Sequence, residues 1–405
     1  MNSTTTAPDH GPEDALDQVW AALRDHYPLM EYLGAYDDEW REEIRPRVRA
    51  ARDLAEALPV IEELVLRFQD CHTRLLWPGK PERTRPGVRL GWVEGGVAVL
   101  RADADTGLAP GDRVLAVDGA EATAAVREAW PRSQGADPEA HAQSACDRLA
   151  SGRPGTVLHL RTERGDVALT RPPEAPPGRP RTPLGFRRLP EGDAGILRVA
   201  AWGGEGFLER MDALFEEAEA LPHLVIDVRG NGGGDDALAR ACAGRFVQRR
   251  FLCSIALHRE PGTDTYRREL SFCEPRGPWR YTGRVAVLAD AGCHSACVHF
   301  VAAMAASGAA CIVGTPTDGG GGFMRRIDLT CGATVIVSRM FPIDGGVAGI
   351  PSPLHGTPPH IPVPPTIADL RAGRDGPLEA ALAWLRSGHP IPAAVRAAGA
   401  GLPPG

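Results

Sequence analysis

The sequence predicts an α/β protein whose main body is a layered, largely parallel sheet, preceded by a helical segment and a smaller αβ module. Three observations carry this. From residue 194 to residue 314, strand-like apolar runs alternate with amphipathic helical runs at short spacing, the pattern of crossover-connected parallel strands. From residue 13 to about residue 70, the runs "DALDQVWAALRDHY" and "LAEALPVIEELVLRFQ" repeat apolar residues at spacings of three and four, which is a helical period. Between these lies a stretch with period-two alternation and glycine turns, which reads as hairpins. At 405 residues the chain is long enough for two or three domains, each with its own core.

Taken in order, residues 1–12 are polar and are expected to form a disordered tail. The opening "MNSTTTAPDHGPED" has no basic start followed by an apolar stretch, so it does not read as a signal peptide. "DALDQVWAALRDHY" and "LAEALPVIEELVLRFQ" then define a helical domain over 13–80, whose last helix leads into "DCHTRLLWPG". The module over 81–172 contains the hairpin "GVRLGWVEGGVAVL", the run "TGLAPGDRVLAVDGAEA", the helix "AHAQSACDRLASG" and the strands "TVLHLRTE" and "DVALTRP". A Pro-rich stretch, "RPPEAPPGRPRTP", reads as a linker. The part from 173 to 405 holds the strand and helix alternation, running from "GILRVAAW" through "HLVIDVRG" and "RVAVLAD" to "ACIVGT". It closes with one or two helices in "TIADLRAGRDGPLEAALAWLRSG", and the chain has no internal repeats.

Composition narrows the function. The net charge of -7 and pI near 6.0 argue against a nucleic-acid partner. No apolar run approaches the roughly 20 residues that span a bilayer, so the sequence predicts a soluble cytoplasmic protein with no membrane partner. The nine cysteines are odd in number and include no CxxC pair, which does not suit a disulfide framework. Cys293 and Cys297 flank His294 but lack the second spaced pair of a zinc site, so neither a metal nor a cofactor is expected. Most of the cysteines should be buried small hydrophobes. Lys80 is the only lysine, and its Pro/Gly-rich loop predicts a solvated cation.

In layered α/β proteins, ligands gather where strands end and helices begin. Two such junctions stand out. In "VIDVRGNGGGDDA", Gly230 and Gly232 to Gly234 separate a buried strand from a helix. Glycine allows close backbone approach, and a helix start offers free N–H groups and a positive dipole end. An oxyanion hole fits this, whereas a Walker phosphate loop needs a GK[ST] sequence that is missing here. A plain tight turn is the structural alternative. In "DAGCHSACVHF", a strand turns sharply into a helix at Ser295. Ser295 fits either an N-cap or an exposed nucleophile, and the residues alone leave both open.

The two junctions in this order, "DVRGNGGG" and "SACVHF" followed by "IVGTPTDGGGG", resemble the core of the tail-specific (C-terminal processing) peptidases. The resemblance implies a crotonase/ClpP-like catalytic core, with Ser295 as nucleophile and an oxyanion hole from Gly232, Gly233 and Ala296. "GLAPGDRVLAVDG" resembles a run of PDZ domains, so the 81–172 module is read as PDZ-like. One branch of the family uses a lysine base, but this chain has Gly320 at that position. The other branch, similar to the tricorn core and to retinoid-binding relatives, uses a histidine in a D-x-H-T-like motif, and "DCHTRL" matches it with His72. An imidazole base suits a serine nucleophile.

Three positions depart from the family pattern. Val298 stands where an acidic residue is common, and Cys71 stands where tricorn-like enzymes have serine. Asp344 is the acid nearest the place of a distant orienting glutamate. Asp344, Cys71 and His299 are therefore the candidate orienting residues. The resemblance does not account for His294 or His299.

The sequence thus reads as a serine peptidase acting on peptides or proteins, with the C-terminus as one way of engaging them. Two alternatives stay open. One is a non-catalytic binder of an apolar ligand or peptide. The other is an acyl hydrolase or transferase acting on a small biosynthetic intermediate. The oligomeric state is open as well.

Overall fold

The alternation of strand and helix after residue 183 takes the form, in the computed structural model, of a six-stranded sheet with helices on both faces. The structure describes residues 11–30, 33, 38–174, 183–263, 265–320, 322–338, 340–344 and 356–394. The expected tail (up to residue 10), most of the Pro-rich linker and the 345–355 stretch lie outside them. The chain divides into two units. The first comprises 1–81, 257–269 and 322–341, and the second comprises 82–256, 270–321 and 342–405.

The first unit begins with α1 (Pro12–His26), α2 (Glu39–Arg49) and α3 (Leu54–Leu66). The helical period predicted here places Leu16, Val19, Trp20 and Leu23 on the buried face of α1, and Leu58, Ile61, Leu64 and Val65 on that of α3. Asp53 starts α3 by accepting the Glu56 N–H, an N-cap of ordinary kind. After α3 the chain turns into β1 (Arg74–Leu76). This strand pairs antiparallel with β16 (Thr334–Ser338), which pairs in turn with β15 (Met324–Asp328).

The second unit holds two sheets of its own. The first contains β2 (Val88–Val93), β3 (Gly96–Ala102), β4 (Arg113–Val117), β5 (Ala120–Glu121), β6 (Val157–Thr162) and β7 (Gly165–Thr170). Its order is β2-β3-β4-β6-β7 with β5 beside β4, so β2 is an edge strand. The β2–β3 turn falls at Glu94 and Gly95, both with positive φ, where the sequence predicted it. α4 (Ala122–Ala129) and α5 (Pro138–Ala150) accompany this sheet. Leu90, Val99, Val126, Cys146 and Leu158 are buried among its core residues. From α5, Gln143 Nε2 donates to the Leu90 carbonyl on β2 at 2.8 Å.

The larger sheet has the order β18-β14-β13-β10-β9-β8. Its strands are β8 (Leu184–Arg188), β9 (Ala194–Val199), β10 (His223–Asp227), β13 (Arg284–Ala289), β14 (Cys311–Gly314) and β18 (Ile361–Pro362). All neighbours run parallel except β8 and β9. On one face Leu197, Ile226, Val287 and Ile312 pack in a core with α6 (Phe207–Ala218), α7 (Asp236–Ala243) and α8 (Ala296–Ala306). On the other, Ile196, Val225, Leu288 and Val313 pack with α10 (Gly376–Ser387), which follows α9 (Ile367–Ala372). Adjacent residues point to opposite faces, and both faces are covered. This explains why these strands read as continuous apolar runs.

β11 (Phe251–Arg259) and β12 (Tyr266–Cys273) form a sheet with β17 (Met340–Asp344), in the order β12-β11-β17. The sequence reading has no counterpart for this hairpin. β12 carries Arg267, Arg268 and Glu269 among only a few apolar residues, so its period is weak.

Candidate active site

β13 ends at Ala289 and α8 begins at Ala296, so residues 290–295 make the strand-to-helix turn. Asp290 Oδ1 ties this turn to the glycine loop, accepting the Gly230 N–H at 2.7 Å and the Gly292 N–H at 2.9 Å. Ser295 occupies the N-cap position with φ 54 and ψ -127, yet its side chain makes no capping hydrogen bond. That resolves one question the residues left open: Ser295 is not a conventional cap. A non-glycine residue held in such a conformation costs on the order of 1–3 kcal/mol and persists only where its surroundings enforce it. Here the Ser295 N–H donates to Gly320 O at 2.7 Å, and the His294 N–H donates to Asn231 O at 3.0 Å.

The glycine loop after β10 comes against this turn. Gly233 has φ 100, and a Cβ there would lie 2.7 Å from Ser295 Cβ, so only glycine permits the approach. The three expected oxyanion donors differ in their bonds. The Gly233 N–H donates to Asn231 Oδ1 at 2.8 Å, a bond that shapes the loop. The N–H groups of Gly232 and Ala296 have no hydrogen-bond partner among the described residues. Ala296 is the first residue of α8, where N–H groups are unpaired and the helix dipole is positive.

The residues around Ser295 are walls of distinct kinds. Cys293 and Cys297 are fully buried, and Cys293 Sγ lies 3.2 Å from the Val228 carbonyl. Burial pushes the Cys293 thiol well above its ordinary range, so it is unsuited to attack. His299, a candidate orienting residue, has Nδ1 2.8 Å from Asp236 Oδ1 on α7.

His294 Nδ1 lies 2.8 Å from Oδ2 of Asp318, whose side chain is 1% exposed. Burial works against charge on His294, but the hydrogen bond and charge of Asp318 outweigh it and hold the imidazole above its usual range. The Asp318 carbonyl also accepts the Asp137 N–H at 2.9 Å from the start of α5. Two residues on, Glu139 is pushed up to about 7, by burial first and by the Asp137 charge second, against a bond from Thr315. Sequence reasoning missed Asp290, Asn231 and Asp318. Asp318 sits inside the quoted "VGTPTDGG" run, but nothing in its spacing marks it.

His72 belongs to the first unit, in the turn between α3 and β1, and is 7% exposed. Its surroundings there are local. Asp70 Oδ1 accepts the His72 N–H at 2.9 Å, and Asp70 Oδ2 accepts Thr73 Oγ1 at 2.8 Å. The Ser338 N–H of β16 donates to Thr73 Oγ1 at 3.3 Å. His72 Nδ1 is 3.6 Å from both Asp70 Oδ1 and Cys71 Sγ. Burial pushes the Asp70 carboxyl up, but bonds from His72 and Ser338 outweigh it and hold it below the usual carboxylate range. Asp70 is thus the carboxylate that faces the imidazole. Cys71 lies beside the same nitrogen. Asp344 ends β17, and its side chain lies outside the described residues.

Asp70, Cys71 and His72 also bring three potential metal-ligand atoms within 4.8 Å of one another. They are consecutive residues whose atoms already bond within their own turn. Lys80 departs from the expected solvated cation. Its Nζ donates to Glu62 Oε1 at 2.5 Å and to Leu75 O at 2.9 Å, and it lies over the Trp77 ring.

Residues 193–362 match the model of peptidase family S41. The fold is similar to that of mature CPAF complexed with lactacystin, with 15% identity and a TM-score of 0.75 over 93% of this chain and 97% of that one. It is also similar to the photosystem II D1 C-terminal processing protease, with 19% identity and a TM-score of 0.54 over 93% and 98%. No curated protein matches the chain in sequence.

Proposed function

With a peptidase family S41 domain over residues 193–362, the chain is a serine-type peptidase, and on that premise we propose that Ser295 is its nucleophile and His72 its general base. Ser295 Oγ attacks a peptide carbonyl. His72 takes the hydroxyl proton and passes it to the leaving amine. The N–H groups of Gly232 and Ala296 hold the oxyanion. Water, activated by the same imidazole, then hydrolyses the acyl-enzyme. The Asp70 charge, 3.6 Å from His72 Nδ1, favours a proton on that nitrogen and leaves Nε2 for proton transfer. The observation that carries this reading is the Ser295 backbone, strained at a helix start with no capping bond to account for it. His72 rests on the "DCHTRL" motif and on the buried carboxylate beside it.

The module from β2 to β7 supports a PDZ-like role. An extended peptide, such as a protein C-terminus, adds to edge strand β2 beside α5. Gln143 must leave the Leu90 carbonyl for a full ladder to form. No helix among the described residues is long and apolar enough to cross a membrane.

A second reading has a specific observation behind it. His294 adjoins Ser295 in the chain and has its Nδ1 on a buried carboxylate, the arrangement of an oriented base. Kinetics of folded His72→Ala and His294→Ala separate the two. A fluorophosphonate probe tests the whole proposal. Labelling that maps to Ser295 and disappears in Ser295→Ala supports it, and an unlabelled wild type returns the chain to a binder of apolar ligands or peptides. Labelling without peptide turnover points to acyl chemistry on a small substrate.

A further inference from the structure

The Ser295 conformation needs something to enforce it, and the backbone bonds that do so converge on one segment. The Ser295 N–H reaches the Gly320 carbonyl, and the Asp318 N–H reaches the Cys293 carbonyl at 3.1 Å. Residues 318–320 therefore run beside residues 293–295 and bond to them twice. The Asp318 side chain bonds to both segments. Its Oδ2 accepts from His294 Nδ1 at 2.8 Å and from the Gly320 N–H at 3.3 Å. The carboxylate thus bonds the residue before the nucleophile and the N–H of the residue whose carbonyl holds the nucleophile's own N–H. It does so at 1% exposure, where water does not compete.

We propose that Asp318 is a positioning residue for Ser295, acting through His294 and Gly320 to keep the hydroxyl in its reactive placement. This rests on the reading of Ser295 as nucleophile. The bonds that tie Asp318 to the turn run to His294 and to Gly320, so its effect falls on the rate of attack and not on ligand affinity. A displacement of about 1 Å at a reacting atom lowers rates by on the order of 100-fold. The charge state of His294 matters to the same bond. Asp318 and Asp290 favour the imidazolium, while burial and Arg89 oppose it. Loss of that proton as pH rises replaces an imidazolium–carboxylate pair with a neutral imidazole on the same carboxylate, which is weaker.

The test uses full-length Asp318→Asn and His294→Gln, with folding checked by circular dichroism and melting. The readout is the rate constant and affinity for fluorophosphonate labelling of Ser295 across pH. For Asp318→Asn the labelling rate constant should fall about 10- to 100-fold with unchanged probe affinity. The decline of the wild-type rate as pH rises through the His294 titration should move to lower pH in Asp318→Asn and vanish in His294→Gln. If Asp318→Asn does not fold, His294→Gln carries the test, because it removes one arm of the bridge and spares the bond to Gly320. Wild-type rates in the folded variants overturn the proposal. So does a slower rate with an unmoved pH profile, which marks a merely structural role. A wild type that takes no label overturns the proposed function and this inference together, whereas equal labelling of wild type and variants overturns this inference alone.

Discussion

The turn that carries His72 and the turn that carries Ser295 are held in opposite ways. Around His72 the restraint is mostly local: Asp70 binds His72 and Thr73, and Ser338 of β16 meets the turn at Thr73 and Asp70. Around Ser295 the restraint is long-range. Bonds arrive from Asn231 and Gly320, and carboxylates from Asp290 and Asp318. The local turn asks little of its backbone, since at φ 52 the strained residue is Gln69, outside the motif. The long-range turn stores its strain in Ser295, the proposed nucleophile. A base needs orientation, which one carboxylate can give. A nucleophile on a strand-to-helix turn also needs its backbone forced, which takes several elements.

The largest expected effect tests whether the two turns serve one reaction. Ser295→Ala should lower peptide hydrolysis by on the order of 10⁶ with no change in melting temperature, since only a hydroxyl is lost. His72→Ala should cost several orders of magnitude, and the double variant should be little worse than either single, because the two act as a unit. Additive losses in steady-state kinetics break the comparison. Next comes the local restraint. Asp70→Asn keeps the shape of the His72 turn but removes its charge, so kcat should drop by roughly 10²- to 10⁴-fold with KM little changed. A near-normal kcat leaves Cys71 as the neighbour that matters.

Smaller effects sharpen the contrast. Lys80 joins Glu62 of α3 to Leu75 of β1 and so brackets the His72 turn from outside. Lys80→Met should lose about 1 kcal/mol in urea unfolding while keeping kcat. A lost kcat in a folded Lys80→Met protein revives a lysine base.

The smallest effect lies on the Ser295 side. The Glu139 carboxyl titrates near 7 in the fold against an ordinary value of 4.5, so the folded state holds the extra proton between these values. Stability is therefore lost as pH rises from about 4.5 to about 7. Glu139→Gln should match the wild type at pH 4 and exceed it at pH 8. The gain is about 1 kcal/mol after discounting for partial exposure, or roughly 1–2 °C in melting temperature. Equal melting curves at pH 8 contradict this.

The same contrast explains what could be read from the sequence. The parallel sheet was legible because both its faces are buried, which writes continuous apolar runs into β10, β13 and β14. The two junctions and the "DCHT" motif were legible because each is a short, contiguous run. Asp70 stood in that motif, and its role follows from a contact two residues away. Asp318 did not show, since its partner His294 is 24 residues distant and no pattern joins them. The bond between the Gly233 N–H and the Asn231 side chain is hidden for a similar reason: the glycines mark the loop, but nothing in the run marks which side chain turns back onto it. Lys80 looked solvated because composition describes its own loop and not the helix across from it.

The Gln143 bond to Leu90 has a consequence outside catalysis. A bare edge strand is a template on which another copy of the chain can pair, the usual start of edge-to-edge aggregation. In β2 one of the carbonyls that such pairing needs is already occupied by a side chain from the same module. Arg89, exposed on the same strand, adds a charge that an incoming strand would have to accommodate. Gln143→Ala should therefore show itself first in light scattering of concentrated protein, as self-association that the native chain resists.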